Sequence, residues 1–376
     1  MEQRPYVVVT GAHGFIGNHI LERMLTADLD ELKRGGLPAG ADADKPRTAQ
    51  VRFSQLSPLP VTTPDVWAVD LPESSQRPTA HRFAQSSRVR IVFFKELIKE
   101  LRAAKHPPLA VIHNGACSST VETNPAVFAE LNVGSSQELW NYCSEMNIPF
   151  IYASSAAVYG DGQRGFSDRP DASGSFAPLN LYGKSKLDFD LWALEQSKSP
   201  SFWFGLRYFN VYGPFENHKA GQASMVYHGY RQATRTGTIK LFKSNTTQYA
   251  DGDQVRDFVY VKDIVRVTMH LLGIALSGRV PQSAQSCFTS AGRGCFLNVG
   301  TGVTRSWNDL AAAVFDAIAV AKKIEYIPIP DNIAAQYQNY TCADLTTLRA
   351  LAYESQFTTL DAGVREYVQR FLMRGL

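Results

Sequence analysis

The chain has 376 residues, 44% of them hydrophobic and 19% charged, a composition that excludes wholesale disorder, collagen and a disulfide miniprotein. Its 38 basic and 35 acidic residues leave a net charge of +3, too slight an excess to make nucleic acid the expected partner. No uninterrupted apolar run approaches the ~20 residues of a membrane span, so no membrane partner is expected, and about 150 residues per domain predicts two domains or one large one.

Residues 6–10 read as a buried strand followed at once by a glycine turn. The preceding Met1-Glu2-Gln3-Arg4-Pro5 leaves no room for a signal peptide. From Phe15 to about Ala27, Ile16, Ile20, Leu21, Met24 and Leu25 recur at helical spacing. The Pro/Gly-rich stretch from about Asp28 to Asp65 reads as an insertion, too long for a structureless loop of a compact domain. A strand resumes at Val66–Asp70, and a second polar patch covers Pro72–Arg88. Further on, the pattern predicts helices over 91–104, 126–147 and 179–197, and strands over 109–113, 149–153 and 202–208.

Strands alternating with helices predict an α/β fold: a Rossmann-type, doubly wound parallel sheet covered on both faces. The dinucleotide domain is expected over 1–214, with insertions near 28–65 and 72–88. A smaller mixed α/β substrate lobe is expected over 215–376, from which segments near 256–270 and 296–320 are candidates to return to the first domain. Residues 280–294 read as a third surface insertion, and no internal repeat is visible. The five cysteines, Cys117, Cys143, Cys287, Cys295 and Cys342, are scattered and never spaced as Cys-x-x-Cys. They read as reduced thiols of a cytoplasmic protein, not as a disulfide frame or a metal site.

Three motifs carry chemistry. In the first, strand residues Val7–Thr10 run into Gly11, Gly14 and Gly17 and then a helix. Glycine lets backbone approach a pyrophosphate, and a helix N-terminus favours its charge. The acid that would hold the cofactor ribose is expected at the end of the second strand, where Asp70 stands; a strand-end turn residue is the other reading of Asp70. Basic residues in the insertions could accept a 2′-phosphate, so NAD and NADP both stay open.

In the second motif, Tyr182 and Lys186 lie four apart on one helix face. A nearby ammonium stabilises tyrosinate and would lower the phenol pKa toward working pH, making Tyr182 a proton acceptor. The third motif, Ile151–Gly160, ends a strand with Ser155, whose hydroxyl can hold the substrate oxygen beside Tyr182.

Together these motifs resemble the extended short-chain dehydrogenase/reductase family, the nucleotide-sugar epimerases and dehydratases, over nearly the whole chain. Arg207–Pro214 and Arg256–Asp263 resemble two further family segments. In the second, an arginine grips the nucleotide diphosphate, a bidentate role that suits guanidinium; the other reading of Arg256 is a salt bridge with Asp257 or another carboxylate. The family's dehydratases carry an acidic pair where this chain has Ala156 and Ala157, so the resemblance favours epimerisation. Segments around Cys117, His218-Lys219, Tyr326–Asp331 and Tyr337-Gln338 resemble a subgroup of 6-epimerases of ADP-sugars more than the 4-epimerases.

What this implies is transient oxidation and re-reduction by a tightly held cofactor, with two proton-handling groups, Tyr182 and Lys219, for the two faces. By the same resemblance Phe15, Ile16, Asn114, Gly115, Ala116, Cys117, Ser118, Asn132, Lys186 and Val211 would meet the cofactor. Ser155, Asn210, His228, Phe242, Lys243, Ser244, Asn245, Arg256 and Tyr337 would line the nucleotide-sugar site. A homo-oligomer is expected by analogy. Ala220-Gly221-Gln222, Lys243-Ser244-Asn245 and the insertion over 249–255 depart from the subgroup, leaving sugar and base open. A one-base 4-epimerase, a non-catalytic redox-sensing regulator and a net reductase are the competing readings.

Overall fold

The structure is a computed structural model, and it describes residues 4–28, 63–289, 293–334 and 337–375. The insertion expected over Asp28–Asp65 lies largely outside the described residues.

The strands of the main sheet are β1 (Tyr6–Thr10), β2 (Asp65–Asp70), β3 (Val89–Phe93), β4 (Val111–His113), β5 (Phe150–Ser155), β6 (Trp203–Tyr208) and β10 (Gly294–Val299). They lie in the order β10-β6-β5-β4-β1-β2-β3, and every pairing is parallel. This is the doubly wound sheet that the alternation predicts. Strand β1 shows why both faces are covered. Val7 and Val9 join one buried cluster, with Ile20, Leu21 and Met24 of helix α1 (Phe15–Met24). Tyr6 and Val8 join the other, with Trp140, Phe150 and Trp203. Side chains of period two on a sheet sandwiched by helices make every strand position apolar. The order of strands reverses direction between β1 and β4, and doubly wound sheets bind ligands in the crevice at that point.

The expected helix over 91–104 is corrected. Val89–Phe93 is the edge strand β3, paired with β2, and the α-helix is only Leu97–Ala103, here α2. Four apolar residues among five fit either period, and a free strand edge on β2 decided it. The expected helix over 126–147 is interrupted: a short turn at Pro125–Phe128 passes through a wide π-turn at Ala129–Gly134 into α3 (Ser135–Met146). Within the third expected insertion, 280–294, Gln282–Cys287 forms a short 3-10 helix and Gly294 already belongs to β10.

Helix α4 (Leu181–Glu195) covers β5 and β6. The smaller lobe gathers α5 (Met225–Thr236), α7 (Trp307–Ile318) and α8 (Leu360–Arg370) around Val226, Leu310, Val314, Phe315 and Val364. Between them α6 (Val261–Ser277) returns to the main sheet and shares the cluster of α1. Two small sheets, β11-β9-β7 and β12-β8, complete the lobe. Their strands are β7 (Asn210–Tyr212), β8 (Ile239–Phe242), β9 (Val255–Tyr260), β11 (Thr304–Ser306) and β12 (Ile324–Ile327).

Candidate active site

The turn from β1 into α1 is built for close approach. Gly11 has φ +63, and a Cβ there would lie 2.8 Å from the carbonyl carbon of Asn114 and the nitrogen of Gly115. A Cβ on Gly17 would lie 2.1 Å from the carbonyl oxygen of Gly11. No side chain caps the N-terminus of α1, so its first backbone N–H groups are left for an outside acceptor. Asp70 ends β2 beside this turn: its carboxylate accepts from the backbone N–H of His13 and of Leu71, each at 2.9 Å. Across the crevice, Asn114 follows β4, its amide nitrogen buried without a hydrogen-bond partner among the described residues. An uncapped helix start, a glycine cradle and an unpartnered amide across the switch point fit a dinucleotide diphosphate.

Asn132 sits in the π-turn and is buried. Its amide oxygen accepts from the Cys117 N–H at 2.8 Å, and its amide nitrogen donates to the Cys117 carbonyl at 3.0 Å and to Ser185 at 2.9 Å. The wide turn thus pins the loop after β4, which holds Gly115 to Ser118, to the helix that carries Tyr182.

Ser155 ends β5, and its hydroxyl accepts from the Ala157 N–H at 3.1 Å. The side chain of Asn180 caps α4 by accepting from Gly183 at 2.8 Å. A Cβ on Gly183 would lie 2.7 Å from the Ala157 carbonyl; glycine there lets the helix press against the Ser155 turn. That contact brings the Tyr182 hydroxyl into a hydrogen bond with Ser155. Lys186, one turn on, is buried; its Nζ donates to the Ala153 carbonyl at 2.8 Å and stands 6.0 Å from the Tyr182 ring centre. Burial lowers its pKa to about 8.

The expectation that Lys186 lowers the phenol pKa is corrected for this arrangement. Burial raises the Tyr182 pKa, the Ser155 hydrogen bond offsets part of that, and the thiol of Cys117 adds to the rise. The Lys186 amine is engaged on the β5 carbonyl of Ala153, 6.0 Å from the Tyr182 ring centre, and desolvation of the phenol wins.

A cleft of about 900 Å³ opens above these groups. Ser155, Ala156, Ala157, Tyr182, Asn210, Arg256 and Tyr337 line it, so no carboxylate stands at the two alanine positions. Arg256 is 4% exposed. Its guanidinium lies between the rings of Trp307 and Tyr337, 5.5 and 5.2 Å from their centres, and donates to the Gln338 carbonyl. Burial lowers its pKa to about 10. Asp257 does not pair with it: that carboxylate accepts from Thr301, Gly302 and Ala343 instead, at 2.7 to 3.0 Å. Among the described residues no carboxylate neutralises Arg256, which is thus set for an anionic ligand.

Other expected positions lie apart. His228 does not line the cleft. Phe242 reaches it only through an edge contact on Tyr337 at 5.9 Å. Lys243 and Asn245 are exposed, and Ser244 folds back, its N–H on Asp251 at 2.8 Å. Val211 is half-buried in β7 against the core clusters. Lys219 stands over the Phe15 ring at 5.7 Å, at the start of α1 and outside the cleft lining. Burial lowers its pKa while Glu216 raises it. Thr120 to Thr123, Lys184, Trp307, Ile333 and Gln338 line the cleft without having been anticipated. Trp307 follows a helix-capping box, a signal of structure only; its place on the wall is tertiary.

Comparison with known proteins follows the same lines. Residues 7–282 match the model of the NAD dependent epimerase/dehydratase family. The ADP-L-glycero-D-manno-heptose-6-epimerase of Fusobacterium nucleatum is 40% identical over 273 residues, 70% of this chain and 77% of that one. The enzyme of the same name from Nitratidesulfovibrio vulgaris (strain Hildenborough) is 42% identical over 263 residues, 70% and 76% of the two chains. Among solved structures, the Helicobacter pylori ADP-L-glycero-D-manno-heptose-6-epimerase superposes with a TM-score of 0.68 at 22% identity, covering 100% of this chain and 98% of that one. MoeE5 in complex with UDP-glucuronic acid and NAD gives 0.65 at 21% identity, covering 99% and 100%. At such identities the structural likeness speaks for the fold.

Proposed function

This chain belongs to the NAD dependent epimerase/dehydratase family, and we propose that within it the protein is a nucleotide-sugar 6-epimerase acting on ADP-glycero-manno-heptose. One observation carries the reading: Tyr182 and Ser155 meet on the floor of a cleft whose wall holds an unneutralised arginine and whose family acid positions are alanines. Bound at the glycine turn, the nicotinamide cofactor would supply a reversible hydride acceptor. Gly11, Gly14, Phe15, Ile16 and Gly17 would hold its diphosphate, Asp70 its ribose, and Asn114 would meet it from the opposite rim.

Arg256 grips the substrate diphosphate between its two aromatic plates. Ser155 holds the reacting hydroxyl and Tyr182 takes its proton. Lys186 holds its amine beside the phenol, fixed on the Ala153 carbonyl and 6.0 Å from the Tyr182 ring centre. Ala156 and Ala157 place no acid where the family's dehydratases carry one, so elimination finds no proton donor at those two positions. Lys219 handles the proton for the opposite face.

The named relatives, at 40% and 42% identity, support ADP-heptose as substrate. The protein is further proposed to work as a closed homo-oligomer in the cytoplasm; no helix among the described residues is long and apolar enough to cross a membrane. Light scattering checks the assembly. Incubation with one epimer of ADP-glycero-manno-heptose, followed by NMR, tests the reaction. Appearance of the other epimer without net cofactor consumption is expected, and an unchanged spectrum overturns the proposal. The position of Lys219 outside the cleft lining favours one alternative, a one-base 4-epimerase of UDP- or GDP-sugars. A Lys219→Met variant with full activity would select it.

A further inference from the structure

The turn that carries Lys219 is held in an unfavourable shape. Asn217–Gln222 forms a 3-10 turn flanked by Phe215 at φ +69 and broken by Ala220 at φ +48. Neither residue is glycine, and left-handed backbone at such positions persists only where its surroundings over-determine it. One end of the turn is tied outward: the Arg82 guanidinium covers the Phe215 ring at 4.1 Å. The other end reaches the loop after β4, where Gln222 donates to Ser119 at 3.0 Å. The turn therefore bridges the rim of the cofactor crevice, with Lys219 over Phe15.

Beneath it lies Glu216, 0% exposed. One carboxylate oxygen accepts from the Ser224 N–H at 2.6 Å; the other accepts from the Ser224 hydroxyl at 2.6 Å and the Gly213 N–H at 3.4 Å. The Tyr367 hydroxyl of α8 adds a further hydrogen bond. The two chain ends of the turn and the smaller lobe thus converge on one buried carboxylate. The Lys219 N–H also bonds the Glu216 carbonyl at 2.9 Å. Among the described residues no cation pairs directly with Glu216; a buried acid in that position is costly unless its acceptors are filled, and here each filled acceptor fixes the turn.

We propose that Glu216 is the positioning residue of the second proton-handling group: its buried carboxylate holds the strained turn that presents Lys219 at the rim of the cofactor crevice. This rests on the two-base reading above. Glu216 touches neither substrate nor cofactor and acts through Lys219.

The test separates the two faces of the reaction. Each purified epimer of ADP-glycero-manno-heptose is mixed in turn with holoenzyme, and reduction of the bound nicotinamide is followed by absorbance. Glu216→Gln should slow reduction by one epimer about tenfold or more and leave the other within about twofold. Lys219→Met should slow the same epimer, and Tyr182→Phe the opposite one. Ser224→Ala, which removes one donor without unburying a charge, should repeat the one-sided pattern more weakly and stands in if Glu216→Gln does not fold. A one-sided Lys219→Met with an evenly affected or unaffected Glu216→Gln overturns the positioning role. A Lys219→Met that is silent on both epimers overturns the two-base reading itself.

Discussion

In the proposed reaction Tyr182 takes the proton, yet burial works against its phenolate, and Lys186 beside it is itself desolvated. Tyr182→Phe should lower kcat by roughly 10²–10⁴-fold, the range for a general base, while the protein still retains cofactor; unchanged turnover would remove Tyr182 from the chemistry. For Lys186 the sign can be worked through. Its pKa falls from an ordinary 10.5 to about 8 on folding, so between those values the unfolded chain binds more protons. Stability then rises as pH climbs from 8 to 10.5, and the full penalty applies below 8. Lys186→Met should therefore be inactive yet more stable than the parent at pH 7, by on the order of 2 kcal/mol, with the gap closing above pH 10. Thermal melts across pH check this; a variant less stable at pH 7 would mean that the Ala153 hydrogen bond outweighs desolvation. Arg256→Gln should raise KM about 10- to 100-fold with a smaller change in kcat, as loss of a charge-assisted grip on a diphosphate requires.

At the scale of elements, the site depends on how α4 is seated. Asp190 of that helix and Arg207 of β6 are both fully buried and pair at 3.1 Å. Asp190 also accepts from Tyr152 at 2.9 Å and Ser154 at 3.0 Å, both on β5. The helix bearing Tyr182 is thus locked to the strand bearing Ser155 through one carboxylate. Arg207→Met leaves that carboxylate buried and unpaired, and should cost about 3–5 kcal/mol. A urea titration should show a lowered midpoint at unchanged slope; a midpoint within error of the parent would show the pair to be dispensable. The elements themselves were unevenly legible. Strand β1 and helix α1 stood out because their apolar periods are clean. Strand β3 did not, because a short edge segment with Ile91 and Phe93 exposed carries no pattern that distinguishes it from a helix start. The π-turn at Asn132 left no mark on the apolar spacing of the helix around it.

For the whole molecule, the proposed cofactor crevice lies at the switch point between β1 and β4, and Arg256, Trp307 and Tyr337 of the smaller lobe line the cleft above it. A dinucleotide that binds only the folded state should raise stability by about 2.7 kcal/mol at a hundredfold excess over Kd. Nucleotide-stripped protein should show this as a rise in Tm on adding NAD or NADP, the larger rise identifying the preferred cofactor. Gly17→Ala, whose Cβ would meet the Gly11 carbonyl at 2.1 Å, should lose the rise. A response undiminished in that variant would place the cofactor elsewhere.

By itself the order of residues determined the doubly wound sheet, the glycine turn after β1 and the pairing of Ser155 with the Tyr182 helix. These are local signals: glycine spacing, a helical turn of four, and apolar period are written along the chain. Only the tertiary structure decided which residues 100 or more positions apart share a wall, that Asp257 turns away from Arg256, and that Glu216 sits beneath Lys219. Those outcomes depend on which buried donor finds which acceptor once the lobes pack, and no spacing along the sequence encodes that choice.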